Sequence, residues 1–122
     1  TKAPSGGPMV QHALSVLLES HLQGKISIEK IVEKMAHNPA KLFDIDRRGF
    51  VREGYFADLV LVDMDAPYTV SKENILYKCG WSPLEGQRFR SRVTQSIVNG
   101  VLTYDNGLFS SESAAMAVKF KR

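Results

Sequence analysis

Apolar residues follow one period before Asp44 and another after it, and the change divides the chain. From Met9 to about Leu22, the residues Val10, Ala13, Leu14, Leu17, Leu18 and Leu22 recur at the i, i+3, i+4 spacing of an amphipathic helix. Gly24 follows where a left-handed C-terminal cap is expected. Ser27 is placed to cap a second helix whose apolar stripe is Ile28, Ile31, Val32 and Met35. Asn38 as a cap, with Pro39 at the first helical position, predicts a third, short helix through Leu42-Phe43. These helices need a surface to pack on, and the residues before Asp44 offer no strand to supply it.

Beyond Asp44 the pattern becomes that of strands. Phe50 to Gly54 reads as a short strand and turn. The continuous run Leu59-Val60-Leu61-Val62 between two aspartates is the signature of a buried strand. Tyr68 to Val70 is β-prone, and residues 71–88, broken by Gly80, Pro83 and Gly86, read as a long ordered loop. Val93–Val98 and Val101–Tyr104 flank Asn99-Gly100, a strong hairpin signal, and Asp105-Asn106-Gly107 marks a second turn. Ser110, Ser111 and Ser113 lead into a frayed helix or tail.

Composition narrows the class. A chain of 122 residues with 43% apolar and 24% charged residues suits one ordinary globular domain. A net charge of +3 with scattered acids implies no nucleic-acid partner. The lone Cys79, flanked by Lys78, excludes an internal disulfide and reads as a buried or incidental thiol. With neither a signal peptide nor an apolar run of about 18 residues, no membrane partner is expected, and a cytoplasmic location is.

The candidate chemistry starts at the N-terminal end. Ala3-Pro4-Ser5-Gly6-Gly7-Pro8 is a stiff, side-chain-poor loop that leads into the first helix. No initiator Met precedes Thr1, and nothing upstream supplies a strand, a metal ligand or a base, so the chain reads as the tail of something larger. The loop lacks the spacing of a phosphate cradle. Two readings stay open: a tight turn ahead of a helix, or a loop whose backbone groups touch a small planar polar ligand. The helix N-terminus would favour an anionic group there. Ser5 has neither a nucleophile elbow nor a dedicated base.

The remaining candidates read more plainly. His12, His21 and His37 lack metal-motif spacing and point to structural or solvent roles, His37 as a backbone anchor. Asp44 with Asp46, and Asp63 with Asp65, sit beside turns and read as solvated caps. Arg88, Arg90 and Arg92 alternate along a predicted strand, which suits a charged solvent edge.

Together these residues carry a resemblance. The loop from Ala3 to Pro8, Ala36-His37-Asn38-Pro39-Ala40 with Leu42-Phe43, the stretch Gly54 to Asp63, Ser82-Pro83-Leu84-Glu85-Gly86 and Val98-Asn99-Gly100 resemble the C-terminal part of a dihydroorotase. The likeness runs over residues 2 to 109, and its second half is shared with allantoinases and dihydropyrimidinases. Gln11 stands where many relatives have Glu.

The resemblance implies an α/β chain: the C-terminal tail of a metal-dependent (β/α)8 barrel, with its last helices and most of a small β-sandwich. It assigns residues 1–43 to the substrate loop and barrel helices, 44–109 to the sandwich and 110–122 to a tail. It implies a zinc enzyme of pyrimidine biosynthesis that interconverts N-carbamoyl-L-aspartate and dihydroorotate, in a homo-oligomeric parent. The zinc ligands and catalytic aspartate would lie before Thr1, leaving no catalytic or metal-binding residue here and an inactive piece. Ser5 and Gly6, with Ala3 and Pro4, would bind substrate through backbone groups. The alternatives are an allantoinase or dihydropyrimidinase, a metal-less barrel scaffolding a partner enzyme, and a free-standing β-rich interaction module.

Overall fold

The computed structural model describes residues 6–121. A single 3₁₀ turn, Val10–His12, leads into α1 (Ala13–Leu22), and Gly24 closes that helix at φ 74°. The Ser27 hydroxyl accepts the Lys30 N–H at 3.2 Å and so starts α2 (Ile28–Val32). The second and third helices differ from the expected pair. They run on through a π turn, Glu33–His37, into α3 (Asn38–Leu42), with Asn38 itself helical at φ −67° and ψ −43°. Pro39 has no N–H and its ring crowds the preceding turn, so a wider turn lets the helix continue without that clash. The Asn38 side chain therefore caps nothing and donates to Glu33 at 3.4 Å.

Gly49 lets the chain turn back along this helix. At φ 79°, a Cβ there would lie 2.5 Å from the Ala40 Cβ and 2.7 Å from the Ala36 carbonyl. No strand forms at 50–54, contrary to the sequence pattern. Phe50 instead stacks on His37 at 4.2 Å, so His37 packs against a ring rather than anchoring backbone.

The strands form two antiparallel sheets. One has the order β1 (Leu59–Asp63), β4 (Arg92–Val98), β5 (Val101–Asp105), β6 (Leu108–Phe109), and the other pairs β2 (Tyr68–Thr69) with β3 (Arg88–Phe89). Both hairpin turns are of the type that needs positive φ twice: Asn99 and Gly100 at 51° and 82°, Asn106 and Gly107 at 47° and 98°. The register slips once against each neighbour of β4. At each slip a threonine hydroxyl bonds across, Thr94 to the Leu61 carbonyl at 3.2 Å and Thr103 to the Ser96 carbonyl at 3.0 Å.

Three further expectations are corrected. Arg88, Arg90 and Arg92 do not share one strand, because Arg90 lies between β3 and β4 and pairs with Glu19 of α1. The segment after Ser110 is extended, with no helix among its described residues, and returns to Asp44: Lys121 N–H donates to the Asp44 carbonyl at 2.7 Å and Asp46 N–H to the Lys119 carbonyl at 2.8 Å. Strand β1 forms, but Leu59, Val60 and Leu61 stay 36%, 54% and 44% exposed. Among the described residues the buried hydrophobic side chains are Leu18, Val70 and Phe89, on or beside α1, β2 and β3, and Ile31 and Ala40, on α2 and α3, with α1 meeting both β3 and α2. Of the apolar stripe expected on α1, Leu18 is buried, in register with His12 and Ser15.

Candidate functional site

Of the four loop residues singled out in the sequence, Ala3, Pro4 and Ser5 lie outside the described residues. Gly6 is exposed, with open space wherever a Cβ would point, and a Cβ on Gly7 would come to 3.9 Å of Pro83. The end of the loop thus lies beside the turn Ser82-Pro83-Leu84-Glu85-Gly86. Ser82 builds that turn: its buried hydroxyl accepts the Leu84 N–H at 3.2 Å and its carbonyl the Glu85 N–H at 3.2 Å.

The entry to α1 is tied down from three sides. Gln11 reaches the segment after the 3₁₀ turn Lys72–Asn74: Nε2 donates to the Asn74 carbonyl at 2.7 Å and Oε1 accepts the Leu76 N–H at 2.9 Å. Its backbone N–H donates to the Tyr77 hydroxyl at 2.9 Å. One turn on, the Ser15 and Tyr68 hydroxyls meet at 3.1 Å.

His12 fills the space between these contacts. It is 1% exposed, edge-on to Tyr77 at 5.9 Å and stacked on Phe89 at 6.4 Å, with both ring nitrogens unpartnered. Burial pushes its pKa below the usual imidazole value and keeps the ring neutral. Gln11 stands out in the sequence only as a departure from the resemblance and Tyr77 not at all, since their bonds join residues 63 to 66 positions apart.

Among the described residues no three His, Cys, Asp or Glu side chains gather to hold a metal ion. His21 donates Nδ1–H to the Ile26 carbonyl at 2.9 Å, and Cys79 is exposed with its thiol 3.7 Å from the Trp81 carbonyl. The Asp63 carboxylate accepts the Asp65 N–H at 2.9 Å and acts as a turn cap. A surface cleft of about 540 Å³ lies elsewhere, along Lys34, Asn38, Lys41 and Phe43, and is lined by no carboxylate, imidazole or thiol. What the described N-terminal residues offer is therefore the end of a glycine-containing loop, exposed at Gly6 and beside Pro83 at Gly7.

The model of the family described as "Amidohydrolase family" matches residues 6–103. A dihydroorotase from Pyrococcus furiosus is 38% identical over 96 residues, covering 79% of this chain and 23% of the relative. An allantoinase from Desulfitobacterium hafniense is 34% identical over 97 residues, covering 80% and 22%. Among solved structures, an L-hydantoinase (dihydropyrimidinase) from Arthrobacter aurescens superposes with a TM-score of 0.81 at 28% identity, covering 92% of this chain and 25% of that one. The chain spans about a quarter of the length of the curated relatives it matches.

Proposed function

The chain belongs to the amidohydrolase family, and from that premise we propose that it forms the C-terminal part of a dihydroorotase. The reaction is reversible opening of a cyclic amide: water breaks one ring C–N bond of dihydroorotate and leaves the carboxylate and ureido group of N-carbamoyl-L-aspartate. The observation that carries this reading is the likeness to dihydroorotases over most of the chain, at up to 40% identity.

In this reading residues 1–43 supply the substrate loop and the last helices of a (β/α)8 barrel. Residues 44–109 supply most of a β-sandwich, and 110–122 a tail. Ser5 and Gly6, with Ala3 and Pro4, meet the substrate through backbone groups. The exocyclic carboxylate of dihydroorotate suits backbone N–H groups near the start of α1. Zinc in the parent would activate the attacking water. We assign its ligands to the parent outside this chain; among the described residues no three His, Cys, Asp or Glu side chains gather to hold it. The parent is proposed to be a cytoplasmic homo-oligomer.

A second reading keeps the reaction and changes the ring to allantoin or a hydantoin, and is favoured by the allantoinase and hydantoinase likenesses. Kinetics of the complete gene product on dihydroorotate, allantoin and hydantoin separate the two. The proposal expects kcat/KM for dihydroorotate at least about 100-fold above the others, on the order of 3 kcal/mol of discrimination. A preference for either other ring overturns it.

A further inference from the structure

We propose that Gln11 is a positioning residue that sets Gly6–Pro8, the described end of the substrate loop, against the segment 74–77. This rests on the reading of residues 3–8 as the loop that meets the substrate. The loop ends at Pro8, and Gln11 is the first residue after it to bond outside its own turn. Its carboxamide spans a backbone carbonyl and a backbone N–H two residues apart, Asn74 at 2.7 Å and Leu76 at 2.9 Å. An amide has one donor end and one acceptor end, and here each end meets its complement. The Gln11 N–H on Tyr77 adds a third bond at 2.9 Å.

The segment that receives these bonds is itself fixed. Ser71 N–H donates to the Asn74 side chain at 3.0 Å, and that side chain donates to the Thr69 carbonyl at 2.7 Å, which joins it to β2. Pro83 faces Gly7 farther along the same connection. A displacement of residues 74–77 therefore moves the start of α1 and Gly6–Pro8 ahead of it. Leucine is close to glutamine in size but has neither donor nor acceptor, and would leave the Asn74 carbonyl and the Leu76 N–H without these bonds.

The test compares the complete gene product with its Q11L and Y77F variants. Steady-state kinetics on dihydroorotate are read beside hydrogen exchange at residues 6–12 and 74–77. Q11L is expected to raise KM about 3- to 10-fold with kcat within about twofold, the size of one lost hydrogen bond in ground-state binding. Exchange should quicken in both segments together. Y77F, which removes one hydroxyl and keeps the ring, should do the same to a smaller extent, and carries the test if Q11L does not fold. Faster exchange at 74–77 with an unchanged KM overturns the proposal and makes these bonds merely structural. If the wild type is inert on dihydroorotate but opens another cyclic amide, the functional reading fails alone. A raised KM on that ring then supports the positioning role, and an unchanged one overturns it.

Discussion

Glu19 in α1 and Arg90 after β3 make a three-point ion pair. One carboxylate oxygen accepts from Nη2 at 2.9 Å and Nε at 3.0 Å, and the other accepts the Arg90 backbone N–H at 3.2 Å. The pair joins the helix to the loop between the two sheets, and the Arg90 side-chain bond holds the Glu19 carboxyl below the usual carboxylate range.

A carboxylate whose folded pKa is depressed adds stability that is present above its unfolded pKa and lost as pH falls through the folded one. E19Q should therefore flatten the fall in stability below about pH 4.3, the ordinary glutamate value. At neutral pH the cost should stay near 1 kcal/mol or less, because Arg90 is half exposed and the pair is screened. Denaturation of wild type and variant across pH checks this, and an acid limb of unchanged slope contradicts it.

His12 acts in a higher window. Its folded pKa lies below the ordinary value of about 6.5, so stability is present above that pH and is lost as pH falls toward the folded pKa. H12F, which keeps an aromatic ring against Tyr77 and Phe89, should remove this component and leave the lower, carboxylate-dependent limb in place. Melting temperatures between pH 7 and 5 read the difference; parallel curves for the two proteins would refute the neutral buried ring.

Gly49 and Gly24 separate two costs. Both hold positive φ, but a Cβ on Gly24 meets nothing within 4 Å, whereas one on Gly49 strikes the Ala40 Cβ and the Ala36 carbonyl. G24A should cost about 1 kcal/mol for the left-handed backbone alone, and G49A at least about 1–3 kcal/mol more for overpacking against α3. Chemical denaturation of the two variants gives the comparison, and equal losses would contradict the close approach.

Asp58 locks the loop before β1 to the β4–β5 hairpin. Its carboxylate pairs with Arg48 and accepts the Asn99 N–H at 2.8 Å, while Arg48 also donates to the Asn99 side chain at 2.6 Å. D58A leaves the largely buried Arg48 without its acid and should destabilise by about 2–4 kcal/mol. In a double-mutant cycle R48A should cost much less in the D58A background, and additive losses would show that the pair is not coupled.

The parts legible in the sequence are those fixed within a few residues. Asn99-Gly100 and Asn106-Gly107 announce their turns because each pair supplies two positive φ angles locally. Ser27 announces a helix because its hydroxyl meets an N–H three residues on. The continuity of α2 with α3 was hidden because Pro39 normally marks a boundary, and a π turn absorbs it. The contacts of Gln11 and Arg90 are not legible in the sequence because their partners at Leu76 and Glu19 lie 65 and 71 residues away. The apolar run of β1 signals burial on both faces, yet these residues remain largely open, as suits a strand proposed to belong to a larger sandwich.

The most direct test of the account is dihydroorotate hydrolysis measured side by side on the complete gene product and on the 122-residue chain alone, each with zinc added. The account predicts turnover by the complete product and none above background by the chain alone. Turnover by the chain alone, or a complete product inert on dihydroorotate, would contradict it.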